Sequence, residues 1–139
     1  MSEPDPRPPV LDEVARLDDV TTLSALKERV RAFCDERDWD RFHGAKDLAI
    51  GLVTEASEVL EHFRFQSEED IAAILGPNGR KAEVEAELAD ALFFILRFAG
   101  RYDIDLARAF ERKLERNAAK YPVDSARGSN RKYNRAPLR

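Results

Sequence analysis

Thiols, imidazoles and glycines are scarce in this chain: one Cys, two His and six Gly among 139 residues. Each shortage removes a class of function. A lone cysteine forms no internal disulfide, and Cys34 falls on the helically spaced stripe Leu23, Leu26, Val30 and Phe33, where a thiol serves as a small core residue rather than a nucleophile. No glycine-rich phosphate loop is present, so a phosphate-bearing ligand would have to be held by metal or by side-chain cations. No apolar run approaches the ~20 residues that span a membrane, and the opening stretch is acidic and proline-rich rather than cationic then apolar. Neither signal peptide nor anchor is expected, and the cytoplasm is the expected location. A surplus of positive charge is also missing: the formal net charge is −4 and the pI about 5.3, which argues against general nucleic-acid binding. Strand-like alternation, hairpin signals and solenoid repeats are absent.

What is present is helical periodicity. Thr21 or Thr22 offers a hydroxyl cap for a helix running to about Asp38, with Leu23, Leu26, Val30, Phe33 and Cys34 on its apolar side. A second helix is expected over about 44–65, and Ser67 with Asp70 three residues on would cap a short third one. Gly76-Pro77-Asn78-Gly79 breaks the chain before a long helix from Arg80 to about Tyr102. Asp103 or Asp105 caps the last helix, with Leu106, Ala107, Phe110, Leu114, Asn117 or Ala118 and Tyr121 at helical spacing until Pro122 stops it. The expected organisation is a flexible proline-rich segment at 1–19 with a short helical or coil piece near Val10–Leu17, a helical domain at 20–122, and an irregular basic tail at 123–139. The fold class is all-α, an antiparallel helical bundle short enough to need a second copy to complete its core.

Two acidic patterns stand out, Glu55-Ala56-Ser57-Glu58 and Glu87-Leu88-Ala89-Asp90. A spacing of three puts each pair on one helix face, about one turn apart. At about 100° per residue, Glu55 and Glu58 lie at the edge of the arc formed by Leu48, Ala49, Leu52, Val53, Ala56, Val59, Leu60 and Phe63. Glu87 falls inside the apolar arc of its own helix, between Phe94 and Phe98, with Asp90 beside it; Val84, Leu88, Ala91, Leu92, Ile95 and Ala99 fill the rest. Like charges one turn apart repel, and a sheltered carboxylate needs a partner. If the two helices pack antiparallel through these faces, four carboxylates converge, and hard oxygens call for Mg²⁺, with Mn²⁺ as a substitute. The plainer alternative is a solvated acidic flank.

Between the first two long helices, Glu36-Arg37-Asp38-Trp39-Asp40-Arg41-Phe42-His43 concentrates the only tryptophan and one of the two histidines. Such aromatics either make a planar slot for a ring or close the end of the bundle; His43 alone decides nothing. After Pro122, Arg127, Arg131, Lys132, Arg135 and Arg139 face a single Asp124. This is either an ordinary solvated terminus or a segment that folds over an anionic ligand.

Taken together, the Trp39 segment, Glu55-x-x-Glu58, Phe63-Arg64-Phe65, Glu87-x-x-Asp90, Asn117-Ala118-Ala119-Lys120-Tyr121-Pro122-Val123, Arg127-Gly128-Ser129 and Lys132-Tyr133 resemble the MazG-like nucleotide pyrophosphohydrolases, on their dCTP pyrophosphatase branch. The resemblance runs from about residue 28 to 133. It implies an all-helical, Mg²⁺-dependent enzyme that cleaves a nucleoside triphosphate between the α and β phosphates, giving a monophosphate and pyrophosphate, and so cleans the nucleotide pool. It implies Glu55, Glu58, Glu87 and Asp90 as metal ligands, with Glu55 or Glu58 taking the proton of the attacking water. Trp39 and Phe65 would border the base, with His43 and Phe94 in the substrate pocket. Lys113 and Asn117 would contact substrate from the last helix, and Lys120, Tyr121, Arg127 and Lys132 would serve as phosphate or closure groups. Self-association as a dimer or tetramer is implied as well. Phe65 stands where that branch carries tryptophan, Phe94 where it carries tyrosine and Val30 where it carries histidine, which bears on base and sugar preference more than on the reaction. The expected substrate is dCTP or another pyrimidine or modified deoxynucleotide. Alternatives are an all-α dUTPase-like enzyme, a phosphoribosyl-ATP pyrophosphohydrolase, and a non-catalytic dimerisation or regulatory module.

Overall fold

Thr22 starts the first helix: its hydroxyl accepts a hydrogen bond from the Ala25 amide at 3.1 Å, satisfying one of the free donors of a helix N-terminus. The computed structural model describes residues 16–135; the proline-rich stretch and most of the piece expected at Val10–Leu17 lie outside them. Helix α1 is Leu23–Asp35, shorter at its end than expected, because Asp38 enters the left-handed region at φ 52° and turns the chain. A single tight turn at Asp40–Phe42 follows. Helix α2 is Ala45–Glu61; it also stops early, unwinding through His62–Arg64 into Phe65 at φ 63°. Ser67 and Asp70 form a reciprocal capping box for α3, Glu68–Leu75.

The break before α4, Lys81–Arg101, depends on Gly79. A Cβ there would come within 2.6 Å of the Ile74 carbonyl carbon and collide with the Ala73 and Ile74 carbonyl oxygens, so the chain folds back against the end of α3 only because this residue has no side chain. Arg80 then donates its amide to Ile74 O at 2.9 Å.

Helix α4 packs on both α1 and α2. Gly51 faces Phe94, Glu55 faces Asp90 and Glu58 faces Glu87; numbers rise along α2 as they fall along α4, so the pair is antiparallel, as expected. Cys34, Leu48, Ile74, Val84, Leu96 and Ala99 form the buried apolar core, and Cys34 is the expected buried thiol. The expected apolar arc of α4 is covered only in part. Leu88, Leu92 and Ile95 are exposed, as are Val53 and Leu60 of α2, because α4 rotates its Val84–Leu96–Ala99 side inward.

The described residues divide into two compact units, one ending at Tyr102 and the other starting at Asp103. The second holds α5, Leu106–Lys120, and α6, Val123–Ala126. Asp105 caps α5 by accepting from the Arg108 amide at 3.0 Å. Pro122 ends α5 as expected, yet the residues after it are not irregular throughout: proline suits the first turn of a helix, and α6 begins directly behind it. All regular elements among the described residues are helical.

Candidate metal centre

Glu55, Glu58 and Glu87 each place a carboxylate oxygen within 4.8 Å of the other two. The α2–α4 register brings them together: Glu58 follows Glu55 by one turn, and Glu87 enters from the facing helix. Glu55 and Glu87 are half-buried, Glu58 and Asp90 exposed. Asp90 lies outside the 4.8 Å set, though its charge acts on both Glu55 and Glu87. Three of the four expected ligands therefore form the cluster, and the fourth stands beside it.

Electrostatics single out two members of the cluster. Burial, then the charges of Glu58 and Asp90, raise the pKa of Glu55. A hydrogen bond with Glu58, then burial and the neighbouring charges, raises that of Glu87. Both groups hold protons more tightly than ordinary carboxyls because burial and neighbouring carboxylates disfavour their charged forms. Other glutamates nearby are answered: Glu61 pairs with Arg64 at 2.8 Å and Glu85 with Lys81 at 3.9 Å. Among the described residues no Lys, Arg or His is ion-paired with any of the four. Converging hard oxygens without a counter-ion fit a small divalent cation.

At the other end of the α2–α4 pair, Trp39 packs edge-on against Phe33 at 5.6 Å and His43 at 5.9 Å between centroids. Its remaining surface is open, at 37% exposure. His43 Nδ1 accepts a hydrogen bond from Arg97 Nε at 3.0 Å, and burial followed by the charges of Arg97 and Arg101 lowers its pKa. Phe94 seats its ring against Gly51 and beside Phe93 at 5.5 Å. Phe65 stands apart: it is 91% exposed, with Arg64 stacked over its ring at 4.5 Å.

The remaining expected contact residues belong to the second unit. Lys120 lies 5.0 Å over the ring of Tyr133, which Tyr121 meets edge-on at 5.8 Å. Lys120, Tyr121 and Lys132 line a cavity of about 1120 Å³ with Arg131, Tyr133 and Arg135. Lys113 is exposed and Asn117 half-buried on α5, and Arg127 caps the end of α6 outside that cavity.

Sequence reasoning missed Arg97, Asp40, Arg101 and Gly51. Arg97 is buried at 3% exposure and paired with Asp40, which also meets Arg101 at 3.2 Å. Its signal was a lone charge inside the otherwise apolar run from Leu92 to Ala99. The signal for Gly51 was a single glycine inside a helical pattern.

Comparison with known proteins identifies the family. The MazG-like family model matches residues 50–135, a stretch that takes in all four carboxylates. dCTP pyrophosphatase 1 of Mus musculus is 33% identical over 96 residues, 69% of this chain and 56% of its own length. dCTP pyrophosphatase 1 of Homo sapiens is 33% identical over 120 residues, covering 84% and 68%. The chain thus spans little more than half of the murine relative. A solved pyrophosphatase from Archaeoglobus fulgidus matches with a TM-score of 0.67 at 36% identity, covering 72% of this chain and 92% of that one. With its paired carboxylate helices inside the matched stretch, the chain belongs to the MazG-like family.

Proposed function

We propose that the protein is a Mg²⁺-dependent nucleoside triphosphate pyrophosphohydrolase, converting a triphosphate and water to a monophosphate and pyrophosphate. The observation that carries this reading is the uncompensated Glu55–Glu58–Glu87 cluster on an antiparallel helix pair, in a chain whose relatives are named pyrophosphatases. Glu55, Glu58, Glu87 and Asp90 would hold the ion; Mn²⁺ would suit the same oxygens. A divalent cation bound there would neutralise the triphosphate and polarise the α-phosphorus.

The chain's own groups supply the rest. Glu55 or Glu58 would accept the proton of the attacking water at a carboxylate oxygen, acting as the positioned general base. Water oxygen bonds to the α-phosphorus as the bond to the α–β bridging oxygen breaks, and pyrophosphate leaves. On the strength of the resemblance Trp39 and Phe65 would border the base, with His43 and Phe94 near it, although within one copy Trp39 and Phe65 stand at opposite ends of α2. Lys113, Asn117, Lys120, Tyr121, Arg127 and Lys132 are substrate-contacting groups on the strength of the resemblance. On the strength of the resemblance the substrate is dCTP or another pyrimidine or modified deoxynucleotide, and the natural setting is clearance of the cytoplasmic nucleotide pool. Self-association as a dimer or tetramer is part of the proposal, supported by the outward apolar residues Val53, Leu60, Leu88 and Leu92.

The test is pyrophosphate release from a panel of triphosphates with and without Mg²⁺. Release should require the ion and be lost in Glu58→Gln and Asp90→Asn while far-ultraviolet circular dichroism is unchanged. Release that survives in either variant would refute the assignment, as would a chain that gains no thermal stability from Mg²⁺.

A further inference from the structure

Arg97 is a guanidinium placed where the core rule expects leucine. It is 3% exposed, and its fork is divided between two residues of the Trp39 segment: Nε donates to His43 Nδ1 at 3.0 Å, and Nη2 donates to Asp40 Oδ1. Arg101, one turn further along α4, is ion-paired with the other Asp40 oxygen at 3.2 Å. Asp40 and His43 bracket the turn at Asp40–Phe42, so α4 grips both its ends. Packing alone does not call for this, since apolar residues of similar volume serve a core at least as well as a buried ion pair. What a planar fork adds is direction: two acceptors are fixed at set angles to one helix.

Trp39 is the residue so directed. It precedes Asp40, its amide donates to Cys34 O at 3.1 Å, and the left-handed Asp38 turns the chain just before it. Its ring is braced edge-on by Phe33 and by His43, itself held by Arg97. We infer that Arg97 is a positioning residue that locks the Asp40–His43 turn to α4 and so holds the open face of Trp39 ready for the nucleobase. This rests on the reading of Trp39 given under the proposed function. The carboxylate cluster lies ten residues back along α4, about 15 Å at 1.5 Å per residue, so the clamp acts on substrate binding and not on the metal ligands.

Trp39 is the only tryptophan, so its fluorescence reports this segment alone. Arg97→Met keeps the apolar stem and removes the fork; Asp40 retains Arg101 and is not left unpaired. Arg97→Lys keeps the charge without the fork, and Asp40→Asn weakens the clamp from the other side. In the full chain with Mg²⁺, Arg97→Met should make Trp39 more accessible to acrylamide. It should raise KM for the preferred triphosphate about tenfold, the scale of one stacked base, with kcat within about twofold and the Mg²⁺-dependent rise in Tm unchanged. Arg97→Lys and Asp40→Asn should show the same changes to a smaller degree. Unchanged quenching in a folded Arg97→Met or Arg97→Lys overturns the inference, as does altered quenching with unchanged KM, or a loss confined to kcat. A wild-type chain that hydrolyses no triphosphate would instead defeat the proposed function, while the quenching comparison still decides whether Arg97 holds Trp39.

Discussion

Gly51→Ala tests the closeness of the α2–α4 pair one turn before Glu55. On an exposed helix the exchange stabilises by about 1 kcal/mol, because glycine loses more backbone freedom than alanine. Here a Cβ would stand 2.6 Å from both Cδ1 and Cζ of Phe94 and nearer still to Cε1. Ordinary contact begins at 3.4 Å, and the ring is hemmed in by Phe93 at 5.5 Å. Forcing a methyl into such a contact costs about 1–3 kcal/mol. Set against the propensity gain, this leaves Gly51→Ala between neutral and about 2 kcal/mol less stable. Urea unfolding followed by circular dichroism measures the difference, and Phe94→Leu completes a double-mutant cycle. With the ring trimmed, the methyl fits and the propensity gain returns, so the coupling energy should be about 1–3 kcal/mol. Gly51→Ala should also blunt the Mg²⁺-dependent rise in Tm, because spreading the helices separates Glu58 from Glu87. A variant about 1 kcal/mol more stable than the parent, uncoupled from position 94, would refute the close approach.

Three other outcomes follow from the same geometry. Glu58→Gln should raise Tm by a few degrees in chelator, since it relieves the repulsion that raises Glu55 and Glu87, and should abolish the Mg²⁺-dependent gain; a fall in chelator would mean the cluster is not strained. His43 has a lowered pKa, set first by burial and then by the charges of Arg97 and Arg101, against Asp40 and Asp47, which raise it. The folded chain therefore binds less of that proton than the unfolded chain, and stability should rise with pH up to about 6.5 and be lost as pH falls below it; His43→Gln should remove that part of the Tm-against-pH profile. Ser67→Ala removes the hydroxyl of the capping box at α3, and urea unfolding should show a loss of about 1 kcal/mol.

Most of the helical frame was legible because its signals are local. Thr22, Ser67 and Asp105 cap through their own side chains, and the Gly76–Gly79 break announces itself. The early ends of α1 and α2 were not legible, since each depends on a left-handed residue, Asp38 and Phe65, whose type does not demand that conformation. The carboxylate cluster could be anticipated because a spacing of three fixes a face, and Glu87 sat where leucine was due. The Arg97 clamp could not, because its partners lie 54 and 57 positions away and only the α2–α4 register brings them into reach. Which apolar face of α4 turns inward was misjudged for a related reason: the helix is apolar around much of its circumference, and periodicity alone cannot rank two such faces.

That second apolar face bears on the metal centre. Leu88 and Leu92 are exposed on α4, and Val53 and Leu60 on α2, so the two helices that must hold mutually repelling carboxylates are short of the packing that would resist the repulsion. A second copy seated on these residues would add apolar burial at about 25 cal/mol per Å², next to the charges the ion neutralises. Association and metal binding would then draw on the same rigid helix pair and strengthen each other. Tm should climb with protein concentration, and Mg²⁺ should lower the concentration at which sedimentation detects the assembled form. Leu92→Glu should reduce both effects together while leaving helicity in place. Sedimentation showing an assembly whose stability is indifferent to Mg²⁺ would separate the two, and the carboxylates would then be held in register by the buried residues of a single chain alone.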